Sequence, residues 1–86
     1  MKYYCITAYT CFVGETLDAY FAVPDGESIE SDKWVERCYD VVCDCAMEWW
    51  DDEAREMFDD DYGAYLGDCG YDAVEIDKEE YERWAY

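Results

Sequence analysis

The first two dozen residues alternate between faces. From Lys2 to Val13, Tyr4, Ile6, Ala8 and Phe12 fall on one side, and Tyr3, Cys5, Thr7, Tyr9 and Cys11 on the other. Residues 17–23 repeat the pattern, with Leu17, Ala19, Phe21 and Val23 against Asp18 and Tyr20. A period of two is that of a half-buried strand. The turn-like Gly14-Glu15-Thr16 between the runs predicts a β-hairpin, and Pro24-Asp25-Gly26 ends it.

The period then changes. Trp34, Val35, Cys38, Val41, Val42, Cys45 and Trp49 recur at helical spacing, and Ser28 or Ser31 offers an N-cap. This predicts a helix to about Trp49, laid on the apolar face of the hairpin. The same segment carries a second pattern: Asp32, Glu36, Asp40, Asp44, Glu48, Asp52, Glu56 and Asp60 are eight carboxylates four residues apart without a break. Four residues slightly exceed one helical turn, so the row drifts by ~40° per step and meets the apolar stripe near Asp52. A helix break near Trp50-Asp51-Asp52 resolves that conflict. A second, shorter helix then starts at Asp51 or Asp52 and buries Ala54, Met57 and Phe58.

Asp59-Asp60-Asp61 through Gly70 reads as a loop, with Gly63, Gly67 and Gly70 as breakers. Residues 71–76 alternate like a third strand, and Asp77-Lys78-Glu79-Glu80 resembles a capping box that opens a last helix. The expected fold is α+β. A three-stranded antiparallel sheet, in chain order β-β-α-α-β-α, has one face covered by the long acidic helix, in a single domain over residues 1–86.

Charge changes the picture more than composition does. Lys and Arg number 6 against 24 Asp and Glu, a formal net charge of −18, while 20% of the 86 residues are aromatic. Disordered acidic segments are poor in aromatics, so this chain should fold. Its core is small and its stability margin thin. The net charge repels nucleic acid and anionic membrane surfaces, and attracts strongly basic clefts. The N-terminus alternates instead of forming a continuous apolar core, so no signal peptide is expected. Cytoplasmic residence and reduced thiols follow as expectations.

The acidic row is the leading functional candidate. Like charges at i,i+4 repel by roughly 0.2–0.5 kcal/mol per pair, so seven consecutive steps on one helix would cost about 1.5–3.5 kcal/mol. Solubility alone needs no such arrangement. The functional reading is phosphate mimicry: duplex DNA carries one charge per ~3.4 Å along each strand, and i,i+4 acids advance by about 6 Å per charge. Asp51, Glu53 and the Asp59–Asp61 run raise the density, and Arg37 and Arg55 partly offset it. Tyrosines form a second signal, since Tyr and Trp anchor interfaces. Tyr3, Tyr9 and Tyr20 fall on the outer face of the hairpin, and Tyr62, Tyr65 and Tyr71 flank the glycine-rich segment. The candidate partner-binding residues are therefore Asp32, Glu36, Asp40, Asp44, Glu48, Asp51, Asp52, Glu56, Asp59, Asp60, Asp61, Tyr62 and Tyr65.

Other chemistries fit less well. Cys38, Cys43, Cys45 and Cys69 could supply four thiols to zinc, but the paired-knuckle spacing is missing, and Cys38 and Cys45 suit the buried helix stripe. The aspartate run fails the EF-hand pattern of glycine at loop position six and glutamate at twelve. Histidine is absent, which removes the usual general base, so no enzyme activity, cofactor or metal is expected. The plainest alternative is an acidic protein-interaction or accessory module whose charge serves only solubility.

In size, charge, the lack of a targeting segment and the acidic run Asp32–Asp60, the chain resembles the small acidic inhibitors of bacteriophages and mobile elements, the anti-CRISPR and antirestriction DNA mimics. That resemblance implies blockade of a basic nucleic-acid-binding protein, a CRISPR effector above all, inside a bacterial host cell. The acids would meet lysines and arginines that otherwise hold phosphates. The net charge argues against direct contact with nucleic acid, and the chain is expected to act as a monomer or a dimer.

Overall fold

A computed structural model describes residues 1–84. Strands β1 (Lys2–Tyr9) and β2 (Thr16–Val23) form the hairpin, followed by helices α1 (Asp32–Glu48), α2 (Asp52–Met57) and α3 (Tyr62–Gly67), strand β3 (Gly70–Ile76) and helix α4 (Lys78–Trp84). The fold is α+β, as expected, with one more helix than the sequence pattern shows. The sheet is antiparallel with order β2-β1-β3, so the first strand lies in the middle.

Register follows the alternation. Ile6 faces Ala19 and Ala73, Ala8 faces Leu17 and Tyr71, and Tyr4 faces Phe21. Directly opposed residues share a face, and this one is covered by α1. Ile6, Ala8 and Val23 from the sheet and Trp34, Cys38, Val41, Val42, Cys45 and Ala46 from the helix are buried. Leu17, Ala19, Phe21 and Trp49 close over this layer. Small residues at Ala8 and Cys45 let helix and sheet approach closely, while Ala46 faces Ala54 and Tyr65. Glu27 ties the preceding loop to the first turn of α1: its Oε1 accepts from Trp34 Nε1 at 3.0 Å and from Lys33 Nζ at 3.2 Å. The opposite sheet face carries α4, with the Tyr3 and Tyr81 rings 4.8 Å apart. Asp77 Oδ1 accepts from Glu80 N at 2.7 Å and caps that helix.

The break after α1 falls where the two stripes collide. Asp51 caps α2 by accepting from Ala54 N at 3.0 Å. Ala54 is buried, but Met57 points into solvent, against expectation, because a helix of six residues has room for one buried turn only. At its end Asp60 N donates to Arg55 O and Asp59 N to Glu56 O, the pairing of a Schellman cap. Asp59 and Asp60 take left-handed φ values of 52° and 61° to make it.

Residues 62–67, expected to be loop, form α3 instead. Asp61 caps it by accepting from Ala64 N at 3.2 Å. Tyr65 drives it inward: its ring packs on Trp50 at 4.7 Å and on Phe58 at 5.6 Å. Burying that ring outweighs the ~1 kcal/mol that each helical glycine costs. Gly70 then opens β3 where a side chain would collide, since an added Cβ would lie 2.7 Å from Tyr9 Oη.

The molecule is flattened and elongated, 44 × 26 × 16 Å, with a radius of gyration of 14.4 Å. A compact chain of this length would have about 12 Å. Among the described residues no helix is long and apolar enough to cross a membrane.

The central position of Ile6 sets an expectation. Ile6→Ala should cost about 2–5 kcal/mol of unfolding free energy, read as a lowered urea midpoint. Val74→Ala on the exposed edge of the sheet should stay within ~0.5 kcal/mol.

Candidate functional site

Helix α1 displays the acidic row as a ridge. Asp32, Glu36, Asp40, Asp44 and Glu48 are all exposed on its outer side, away from the buried stripe. Asp52 and Glu56 continue the exposed row on α2. Asp60 lies in the turn beyond it, where the Nε of Arg55 donates to its Oδ1 at 2.9 Å. Helical geometry therefore holds for five of the seven steps, four on α1 and one on α2. The repulsion carried by the helices is accordingly about 1–2.5 kcal/mol.

Neutralising charge lies elsewhere. Lys2 pairs with Glu75, Lys33 with Glu27, Arg55 with Asp60, Lys78 with Glu82 and Arg83 with Glu79, and the N-terminal ammonium with Asp25. That ammonium holds the Asp25 carboxyl below its usual range. The sixth basic side chain, Arg37, lies over the Trp34 ring at 4.7 Å. Among the described residues, no ion pair reaches the five acids of α1. Their field faces solvent, weakened only by Lys33 and Arg37 on the same helix.

Two exposed side chains on that ridge escaped the sequence reading. Tyr39 and Met47 are 56% and 69% exposed. With the half-buried Cys43 between them they form a line at i,i+4 spacing beside the acids. Their separation from the buried stripe on a helical projection was the available signal. The Tyr39 ring meets the edge of Tyr71 at 6.0 Å, which joins the ridge to β3.

The remaining candidates divide. Asp51 and Asp61 are exposed, but each spends a carboxylate oxygen on a helix cap. Asp59 is exposed within the Schellman turn. Tyr62 is half-buried, with its ring 5.2 Å from Trp50 in an edge-on contact. Tyr65 must be removed from any docking surface. Its side chain is 0% exposed, because α3 turns it into the core. Among the described residues its hydroxyl has no hydrogen-bond partner, and burial raises its pKa far above the ordinary value.

The thiols differ in their surroundings: Cys11 is exposed, and Cys5, Cys43 and Cys69 are half-buried. Cys38 and Cys45 are buried in the α1 stripe, Cys45 Sγ donating to Glu15 O at 3.7 Å, while Cys69 Sγ donates to Tyr65 O at 3.4 Å. Among the described residues no three Cys, Asp or Glu side chains gather in a ligand arrangement. Burial, reinforced by nearby Cys45 and Cys11, pushes the Cys69 thiol up to about 11.

Two outcomes follow. Tyr65→Phe removes an unsatisfied buried hydroxyl and should leave stability unchanged or raise it by about 1 kcal/mol, measured by denaturant unfolding. The folded state holds the Cys69 proton more tightly than the unfolded chain, whose thiol has a pKa near 9.0. Its contribution to stability is therefore full below pH 9 and declines as pH rises from about 9 to 11. Cys69→Ala should make the fall of the unfolding midpoint over that window shallower, the raised thiols of Cys38 and Cys45 keeping part of it.

No family model, no curated protein and no solved structure matches the chain.

Proposed function

We propose that this protein is an inhibitor that occupies the DNA-binding surface of a basic nucleic-acid-binding protein, a CRISPR effector in the first place. The observation that carries this reading is the ridge of α1: five exposed carboxylates in one row, with no ion pair from the described residues to quench them. Compensating the row internally would have been simple, since lysine at alternate positions turns i,i+4 repulsion into attraction. The available cations are engaged elsewhere instead.

Shape supports the same reading. The long axis of 44 Å equals the rise of about a dozen base pairs of duplex DNA. The narrow cross-section of 26 × 16 Å is close to the width of a duplex, so the molecule could enter a cleft built for one. Mimicry here is electrostatic and not atom by atom, because the acids advance by about 6 Å where phosphates advance by ~3.4 Å. Long-range attraction would steer association, and Tyr39 and Met47 on the ridge would supply the dry contacts that slow dissociation. No catalytic step, cofactor or metal enters the mechanism. The site of action would be the cytoplasm of a bacterial host.

Reversal of Glu36, Asp40, Asp44 and Glu48 to Lys should abolish binding to the target, measured by titration calorimetry, while circular dichroism shows the fold retained. Unchanged affinity would reject α1 as the contact face. Binding by the native protein should weaken steeply with added salt, as expected when exposed charges dominate. A flat salt response would favour an accessory module whose acidity serves solubility.

A further inference from the structure

Strand β3 is hydrogen-bonded on one side only, since the sheet runs β2-β1-β3 and, among the described residues, nothing pairs with its other edge. Its middle residues Asp72, Ala73, Val74 and Glu75 are all exposed, and Val74 reaches 57%. The other edge, β2, differs: five of its eight side chains are half-buried and Val23 is fully packed. An open edge offers a row of unpaired N–H and C=O groups that templates a further strand. We propose that β3 captures an extended, Lys- or Arg-rich segment of the partner by strand addition.

Charge selects that occupant. Asp72 and Glu75 lie on opposite faces of the strand, because residues an odd number of positions apart alternate. A strand added at this edge therefore meets a carboxylate on either face. On the α1 side it would lie next to Tyr71, whose ring abuts Tyr39 on the acidic helix. Lys2 partly offsets Glu75, at 3.9 Å and on the surface, which is a weak pairing. A second copy of this chain is disfavoured at the same edge. It would bring Asp72 and Glu75 towards their own counterparts and join two molecules of net charge −18. The Val74 side chain offers the added strand one apolar neighbour on the α4 side.

This inference rests on the reading of a basic protein partner, but uses a surface distinct from the α1 ridge. Its test uses the full chain and a short synthetic peptide that alternates lysine with threonine and valine. A matched peptide carries N-methyl groups on one backbone edge, which keeps the charge and removes strand pairing. The unmodified peptide should bind at low salt and slow hydrogen exchange at alternate amides of residues 70–76. The N-methylated peptide should bind roughly tenfold more weakly or worse, and Asp72→Lys with Glu75→Lys should weaken the unmodified one. Equal binding of both peptides, protection confined to α1 or β2, or no binding at all would overturn strand addition. Self-association through β3, seen by sedimentation, would overturn it too. The α1 charge reversal separates the two ideas. If it abolishes target binding while both peptides bind alike, the ridge reading survives and strand addition fails. If β3 protection persists while the reversal leaves target binding unchanged, the ridge reading fails alone.

Discussion

The structure depends on seating the apolar stripe of α1 on the sheet. Val41, Val42 and Cys45 cluster with Ala8, Leu17, Ala19 and Phe21, Trp34 meets Phe21, and Ile6 and Cys38 are fully buried; this is the principal layer of burial in a small chain. Each fully buried aliphatic side chain contributes about 1.5–3 kcal/mol. That contribution must exceed the mutual repulsion of the acids on the opposite side of the same helix. The two demands are compatible only while the stripes stay apart, so the helix ends at Glu48, just before the drift of the acidic row would bring the next member towards the sheet.

The same constraint shapes the surface. A helix with one buried side presents everything else to solvent, and here that is a carboxylate at every fourth position, with Tyr39 and Met47 beside it. The basic side chains sit on β1, in the first half of α1 and on the short helices α2 and α4, where each has a nearer partner. The field of the ridge is thus a consequence of where the cations are placed as much as of how many acids there are. A three-stranded sheet with α1 on one face and the short α4 on the other, instead of a rounded core, accompanies the elongated shape.

Legibility from sequence tracked periodicity. The hairpin, the α1 stripe from Trp34 to Cys45, the break before Asp52 and the third strand were readable because each repeats a pattern over several residues. Helix α3 was not. Gly63 and Gly67 read as breakers, and what overrides them is the packing of Tyr65 on Phe58, on Tyr62 of its own helix and on Trp50, which lies before α2 and outside any local pattern. Tyr65 was misplaced on the surface for the same reason, and Met57 in the core for the opposite one. The exposed acids Asp32 to Glu48 were readable as a row, but not the pairing of Asp60 with Arg55, which needs the Schellman turn between them.

By itself the sequence determined every element type except that of α3, the face that the strands and α1 turn inward, and a net charge that nothing in the chain could balance. Those properties follow from side-chain periodicity and composition, which are local. Only the tertiary structure decided that β1 is central, that β3 has one edge unpaired among the described residues, that Tyr65 is buried, and that no ion pair among the described residues reaches the five acids of α1. Strand order, the packing of Tyr65 on Trp50 and the Lys2–Glu75 pair join residues well apart in the chain, and no local period encodes such distances.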